Sequence, residues 1–150
     1  MSDNHIEKIV NEIFVEIETS LNLFKTSPED WNISQGNVAV CVITKEGKIF
    51  GKLYGSDKSK QRQFFNVAWK KASQTWITGY KTGDYEKMVY GGNMDPEDSL
   101  ISLPDLIGWA GGQLINIDDA TALAIGFSGF RGFNDIKIVD DAVQKVLRYQ

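Results

Sequence analysis

From Trp109 to Val143 the chain reads W-A-G-G-Q-L-I-N, then T-A-L-A-I-G-F-S-G-F-R-G, then F-N-D-I-K-I-V-D-D-A-V. Two glycine-punctuated apolar segments of strand length run directly into a segment whose apolar residues recur at helical spacing. That combination points to a compact α/β ligand-binding domain. No catalytic motif stands in it, so it constrains the fold and the place of a pocket more tightly than any reaction.

The remaining segments supply partners for such a strand pair. Ile6, Ile9, Val10, Ile13, Phe14, Ile17 and Leu21 recur at three- and four-residue intervals, which predicts a first helix with Asn4 and Glu7 as a reciprocal cap. Pro28 opposes its continuation, and residues 26–36 read as a connection. Residues 37–44 predict a buried strand. Lys45-Glu46-Gly47 turns it into a second strand over 48–54, because Gly47 tolerates positive φ. A second helix, capped within 56–59, carries Phe64, Phe65, Val67, Ala68, Trp69, Ala72, Thr75 and Trp76, a surface wide enough to face both core and partner. Glycine and proline break up residues 78–106, which read as loops with one or two short helices and as a candidate pocket wall or lid. Residues 111–116 and 121–128 form the later strand pair, and Asn134 caps a last helix that buries Ile136, Val139, Val143, Val146 and Leu147. Strands joined as hairpins predict a largely antiparallel sheet covered by helices.

With 150 residues, 42% of them hydrophobic, and eight Phe, five Tyr and four Trp, the chain can fill one core, so residues 1–150 are expected to form a single domain. Its 20 acidic and 16 basic side chains give a net charge of −4, which argues against nucleic acid as a partner. The single Cys41 lies in an apolar run and reads as a buried structural thiol. No stretch approaches the roughly 18 apolar residues of a membrane span, and no basic flank plus apolar segment opens the chain. The expected compartment is cytoplasmic, without a membrane partner.

Gly111-Gly112 followed by Ile115, the run Ala124-Ile125-Gly126-Phe127-Ser128-Gly129, and Asp135 six residues beyond Gly129 resemble the haem-binding-like GlcG/HbpS family, also described as haem-degrading, PduO C-terminal or DUF336 domains. The first helix, the 38–54 hairpin and the second helix with Ala68 and Ala72 match as well, extending the resemblance over residues 5–148. It implies a profilin-like three-layer α/β/α sandwich with a mainly antiparallel sheet, often assembled as a homo-oligomer. Some members bind haem or other small ligands, and many have no assigned reaction. Two stretches depart from the family pattern. Thr44-Lys45-Glu46-Gly47 stands where many relatives carry an aspartate and a double glycine, and Gln113-Leu114 replaces a proline-containing approach to Ile115.

The candidate ligand site lies between residues 80–106 and 111–132. Trp109, Phe127 and Phe130, with Phe133, can supply apolar or stacking contacts. Gly111, Gly112, Ser128 and Gly129 contribute close backbone approach, and Arg131 complements an anion held by amides at the turn Gly126-x-x-Gly129-x-x-Gly132. The competing reading of that turn is a sterically required bend. Its spacing is not the dinucleotide fingerprint, and Ser128 has no nearby histidine in sequence. Haem or a related tetrapyrrole is the named ligand subtype. Iron needs an imidazole, thiolate, tyrosinate or thioether; the one histidine, His5, opens the first helix, and Tyr54, Tyr80, Tyr85, Tyr90, Met88 and Met94 complete the donor types.

Lys58, Lys60, Arg62, Lys70 and Lys71 read as a solvated helix edge, Asp118-Asp119 as a turn, and Asp140-Asp141 as an exposed helix face, with no metal site among them. Asp135 reads as a stabilising charge at a helix start. Three functions remain open. The first is a non-catalytic small-ligand-binding protein. The second is a cofactor-independent isomerase or lyase using Asp105, Asp118 or Asp119 as a proton-transfer group with a pocket-shifted pKa. The third is a homo-oligomeric structural or regulatory subunit joined through Phe65, Trp69 and Trp76.

Overall fold

The computed structural model describes residues 2–24, 26–101 and 105–149. Its strands are β1 (Val38–Thr44), β2 (Ile49–Tyr54), β3 (Gly112–Asn116) and β4 (Ala122–Ser128), joined antiparallel in the order β2-β1-β4-β3. Each hairpin pairs internally, and the two meet along β1 and β4, with Cys41 opposite Gly126. Helices α1 (Asp3–Phe24) and α5 (Gly132–Arg148) cover one face, and α3 (Lys58–Thr78) covers the other. The result is an α/β/α sandwich.

Strand alternation divides the core into two unlike halves. Val38, Val40, Val42, Leu123, Ile125 and Phe127 point toward α1 and α5, where they meet Ile9, Val10, Ile13, Ile17, Val139 and Val143. Ala39, Cys41, Ile43 and Ala124 point toward Ala68 and Ala72 of α3. Small residues let that helix come close: a methyl group on Gly126 would lie 2.6 Å from the Ala72 backbone nitrogen, and one on Gly112 would lie 2.7 Å from the Lys71 carbonyl oxygen. Cys41 is buried there, and burial pushes its thiol up to about 12.

Several boundaries differ from expectation for local reasons. The Ser2 hydroxyl, not Asn4, accepts an N–H at the start of α1, from His5 at 3.3 Å. Residues 26–36 contain helix α2 (Pro28–Ser34); proline sits in its first turn, where no intrahelical N–H is needed. Asp57 caps α3 by accepting the Ser59 and Lys60 amides at 3.0 and 3.1 Å. The 78–106 stretch folds into α4 (Thr82–Tyr90) and a 3-10 turn (Pro96–Ser99), and Tyr85, Ile101 and Leu106 form a small core of their own. Asn134 does not cap α5 but donates its amide to Asp30, and Ile138 and Ala142 join the buried stripe while Ile136 is only partly buried. Lys71 is buried rather than part of a solvated edge. Among the described residues no helix is long and apolar enough to cross a membrane.

Candidate functional site

The glycine corner predicted from the sequence exists, and the chain's own side chains fill it. Gly111 has φ +127°, and a side chain there would meet the Phe127 carbonyl oxygen at 2.7 Å and Lys71 Nζ at 2.8 Å. Gly112 lies beneath α3. Gly129, at φ +143°, leaves room for Val38, and Ser128 is buried beside Ala39 in the ladder. Phe127 is wholly enclosed, while Phe130 stacks on Phe24 with ring centroids 4.7 Å apart. Trp109 stands apart at 68% exposure, and its carbonyl accepts the Thr82 hydroxyl at 2.6 Å. Gly111, Gly112, Phe127, Ser128, Gly129 and Arg131 therefore converge on protein groups rather than on an open volume.

Two buried carboxylates organise this joint. Asp135 accepts Lys71 Nζ at 3.1 Å and the Phe130 amide at 2.8 Å, and Lys71 also donates to the Phe127 carbonyl at 2.9 Å. Burial pushes the Asp135 carboxyl up and the Lys71 ammonium down, each opposed by the attraction of its partner. Asp30, on α2, accepts the Arg131 amide at 2.8 Å, its guanidinium at 3.2 Å and the Ser27 hydroxyl at 2.7 Å, together with the Asn134 amide. Burial alone would raise the Asp30 pKa, but the hydrogen bonds from Arg131, Ser27 and Asn134 outweigh it and hold it at about 2. Arg131 is thus engaged by the protein's own anion.

Phe130 belongs to a second space, and there the chain leaves room. A cavity of about 470 Å³ lies where α1 runs past the end of the sheet and α2 folds under it. Leu21, Phe24, Trp31, Val38 and Phe130 supply its apolar lining, and Glu18, Asn22, Ser34, Gln35 and Ser56 its polar groups. Its walls are fixed by hydrogen bonds. Buried Asn37 donates to the Ser34 and Gln35 carbonyls at 3.2 and 3.3 Å and accepts the Ser56 and Asp57 amides at 3.0 and 2.9 Å, tying the end of α2 to the loop before α3. Gly36, at φ +83°, closes α2, with the Trp31 ring lying 3.2 Å from where its Cβ would be. Asp30 locks α2 itself to Arg131.

No family model matches the sequence. No curated protein matches it either. Among solved structures, a PduOC:haem complex superposes with a TM-score of 0.61 at 18% identity, covering 96% of this chain and 93% of that one. The DUF336 protein ORFY of Klebsiella pneumoniae gives 0.66 at 14% identity over 95% and 90% of the two chains. A double mutant of HbpS from Streptomyces reticuli gives 0.55 at 17% identity over 87% and 84%. The chain shares the fold of HbpS and PduOC.

Within this HbpS-like fold the three acids proposed for proton transfer are scattered. Asp105 is exposed, with Lys70 at 3.9 Å. Asp118 accepts the Ala120 amide at 2.8 Å, a bond that lowers its pKa, the wrong direction for a base working near neutrality. Asp119 borders an open depression of about 520 Å³ beside Trp76 and Leu114. The second-helix aromatics behave differently: Trp69 and Trp76 are 40% and 43% exposed, while Phe65 packs partly buried over Gly51. Nothing in the sequence signals Asp30 or the α2 lining residues Trp31 and Ser34, and Lys71 reads there as part of a solvated edge; Asp30 and Lys71 gain their roles from partners 101 and 64 residues away.

Proposed function

We propose that this protein binds a small, largely apolar ligand in the cavity between the end of α1, helix α2 and the turn between β4 and α5. The observation that carries the reading is a preformed space of about 470 Å³ lined by Phe24, Trp31 and Phe130 and edged by a few polar groups, the character of a small-molecule site. Its hydrogen-bonded walls mean that little ordering is needed on binding. The shared fold with a PduOC:haem complex supports ligand binding in general and brings haem forward as a subtype. The lining does not suit ligated haem. It holds no histidine, cysteine, methionine or tyrosine among the described residues, and His5 lies on α1 about 20 Å before Glu18 at ~1.5 Å rise per residue.

A fragment titration followed by backbone and indole NMR shifts tests the site. Shifts should gather at Leu21, Phe24, Trp31, Gly36 and Phe130 and disappear in Ser56→Trp, which fills the cavity. Shifts centred on Trp109, Gly111, Gly112, Ser128 and Arg131 would move the site to the corner expected from the sequence. A second reading, a homo-oligomer, draws support from the exposure of Trp69 and Trp76 and from Ile49, Leu53 and Leu114 on the edge strands beside α3. Light scattering of the wild type and Trp69→Glu checks it: a multimer that dissociates in the variant fits, and a wild-type monomer rejects it.

A further inference from the structure

Strand β2 stands at one end of the sheet, with its outer edge unpaired. The Thr44 amide donates to the Lys48 carbonyl at 2.9 Å, and the register continues from Ile43 opposite Ile49 to Val38 opposite Tyr54. Backbone groups alternate in direction along an antiparallel strand. Those of Lys48, Phe50, Lys52 and Tyr54 therefore turn to β1, and those of Ile49, Gly51 and Leu53 turn to the free edge. The side chains at these three outward positions share the α3 face: Gly51 lies opposite Cys41, and the Phe65 ring stands 2.8 Å from where a Gly51 Cβ would be. Ile49 and Leu53 are 51% and 46% exposed. Trp76 approaches the hairpin at Gly47, and exposed Trp69 lies between Phe65 and Trp76 on the same flank of α3. Free backbone groups and uncovered apolar side chains thus coincide along one strand, the pattern of a surface that takes a further strand.

The residues of β2 select the register in which a second copy fits. Centred on Lys52, an antiparallel pair would set Lys52 against the partner's Lys52 and Leu53 against the partner's Gly51. Centred on Phe50, it would set Lys52 against the partner's Lys48. Centred on Gly51, it sets Lys52 against the partner's Phe50, Lys48 against the partner's Tyr54, and Ile49 against the partner's Leu53. Like charges directly opposite destabilise a sheet and apolar pairs stabilise it, so the third register is favoured on both faces. Resting on the homo-oligomer reading above, we infer that two copies join β2 to β2 about a two-fold axis through Gly51, continuing one sheet into the other. Ile49 exchanges backbone hydrogen bonds with the partner's Leu53, and Gly51 with the partner's Gly51. Phe65 and Trp69 of both copies close over the apolar strip.

Mixing Ile49→Cys with Leu53→Cys under mild oxidation tests the register, since both positions are exposed and the native Cys41 is buried. The mixture should cross-link roughly tenfold faster than either variant alone. Opposed Cα atoms lie ~5.5 Å apart, whereas like positions are offset by about 13 Å along the strands, beyond disulfide reach. Hydrogen exchange gives a second reading on the wild type. In the multimer the Ile49, Gly51 and Leu53 amides should exchange at least roughly tenfold more slowly than unprotected loop amides. Suppose light scattering finds a multimer, yet one variant alone cross-links as fast as the mixture, or these amides exchange like loop amides. This pairing is then overturned and the homo-oligomer reading stands. A monomer at every concentration overturns both and leaves the β2 edge to a partner of another kind.

Discussion

The two faces of the sheet are held by different physics. Toward α1 and α5, large aliphatic side chains interleave and stability comes from apolar area removed from water. Toward α3, alanines and glycines bring backbone against backbone, and the helix is fixed by buried polar groups: Lys71 on Asp135, Gln74 on both polar atoms of Ile107, and the Trp76 indole on the Thr44 carbonyl. The first face tolerates changes of detail, because many contacts share the load. The second depends on a few exact distances and partners, so single changes there should cost more than residue size suggests.

The largest expected effect tests that asymmetry. Lys71→Met and Asp135→Leu each strand a buried charge and should destabilise by ~3–5 kcal/mol, while the double variant should recover most of the loss. Urea denaturation of all four proteins reads this directly. Single variants within about 1 kcal/mol of wild type would remove the distinction between the faces. On the opposite face, Ile125→Ala should cost about 3 kcal/mol as an ordinary cavity, measured the same way. Gly126→Ala adds one methyl group and should cost about 2 kcal/mol by pushing α3 outward. A neutral result would show that the helix has slack.

A smaller effect depends on acid. The Asp30 carboxyl titrates at about 2 in the folded protein against 3.8 ordinarily, so the unfolded chain takes up its proton first as pH falls. Its contribution to stability is present above pH 4 and is lost on the way down to pH 2. Thermal melts between pH 5 and pH 2 should decline less steeply in Asp30→Asn than in the wild type. Equal slopes would mean that Asp30 does not tie α2 to Arg131 in solution.

The face that periodicity describes was the legible one. The stripe of α1 and the unbroken apolar run of β1 can be read locally, and Gly47 marks its turn at φ +90°. Helix α2 was hidden because Pro28 resembles a stop signal until its place in the first turn is known. Lys71 looked like a surface residue because nothing local reports an Asp135 that lies 64 residues further on. The glycines of the corner were rightly placed together, but a sequence does not distinguish room left for a ligand from room taken by Val38, Lys71 or α3. Of the residues singled out for that site, Phe130 reaches the cavity, whose other walls come from α1, α2 and the loop after β2.

A crystal structure of the protein with the neutral probe 2-naphthylmethanol bears most directly on where the ligand goes. The bicyclic ring is predicted to lie among Phe24, Trp31 and Phe130. Density for the probe beside Trp109 and Arg131, or against Trp76 on the α3 face, with the α1–α2 cavity holding only solvent, would contradict it.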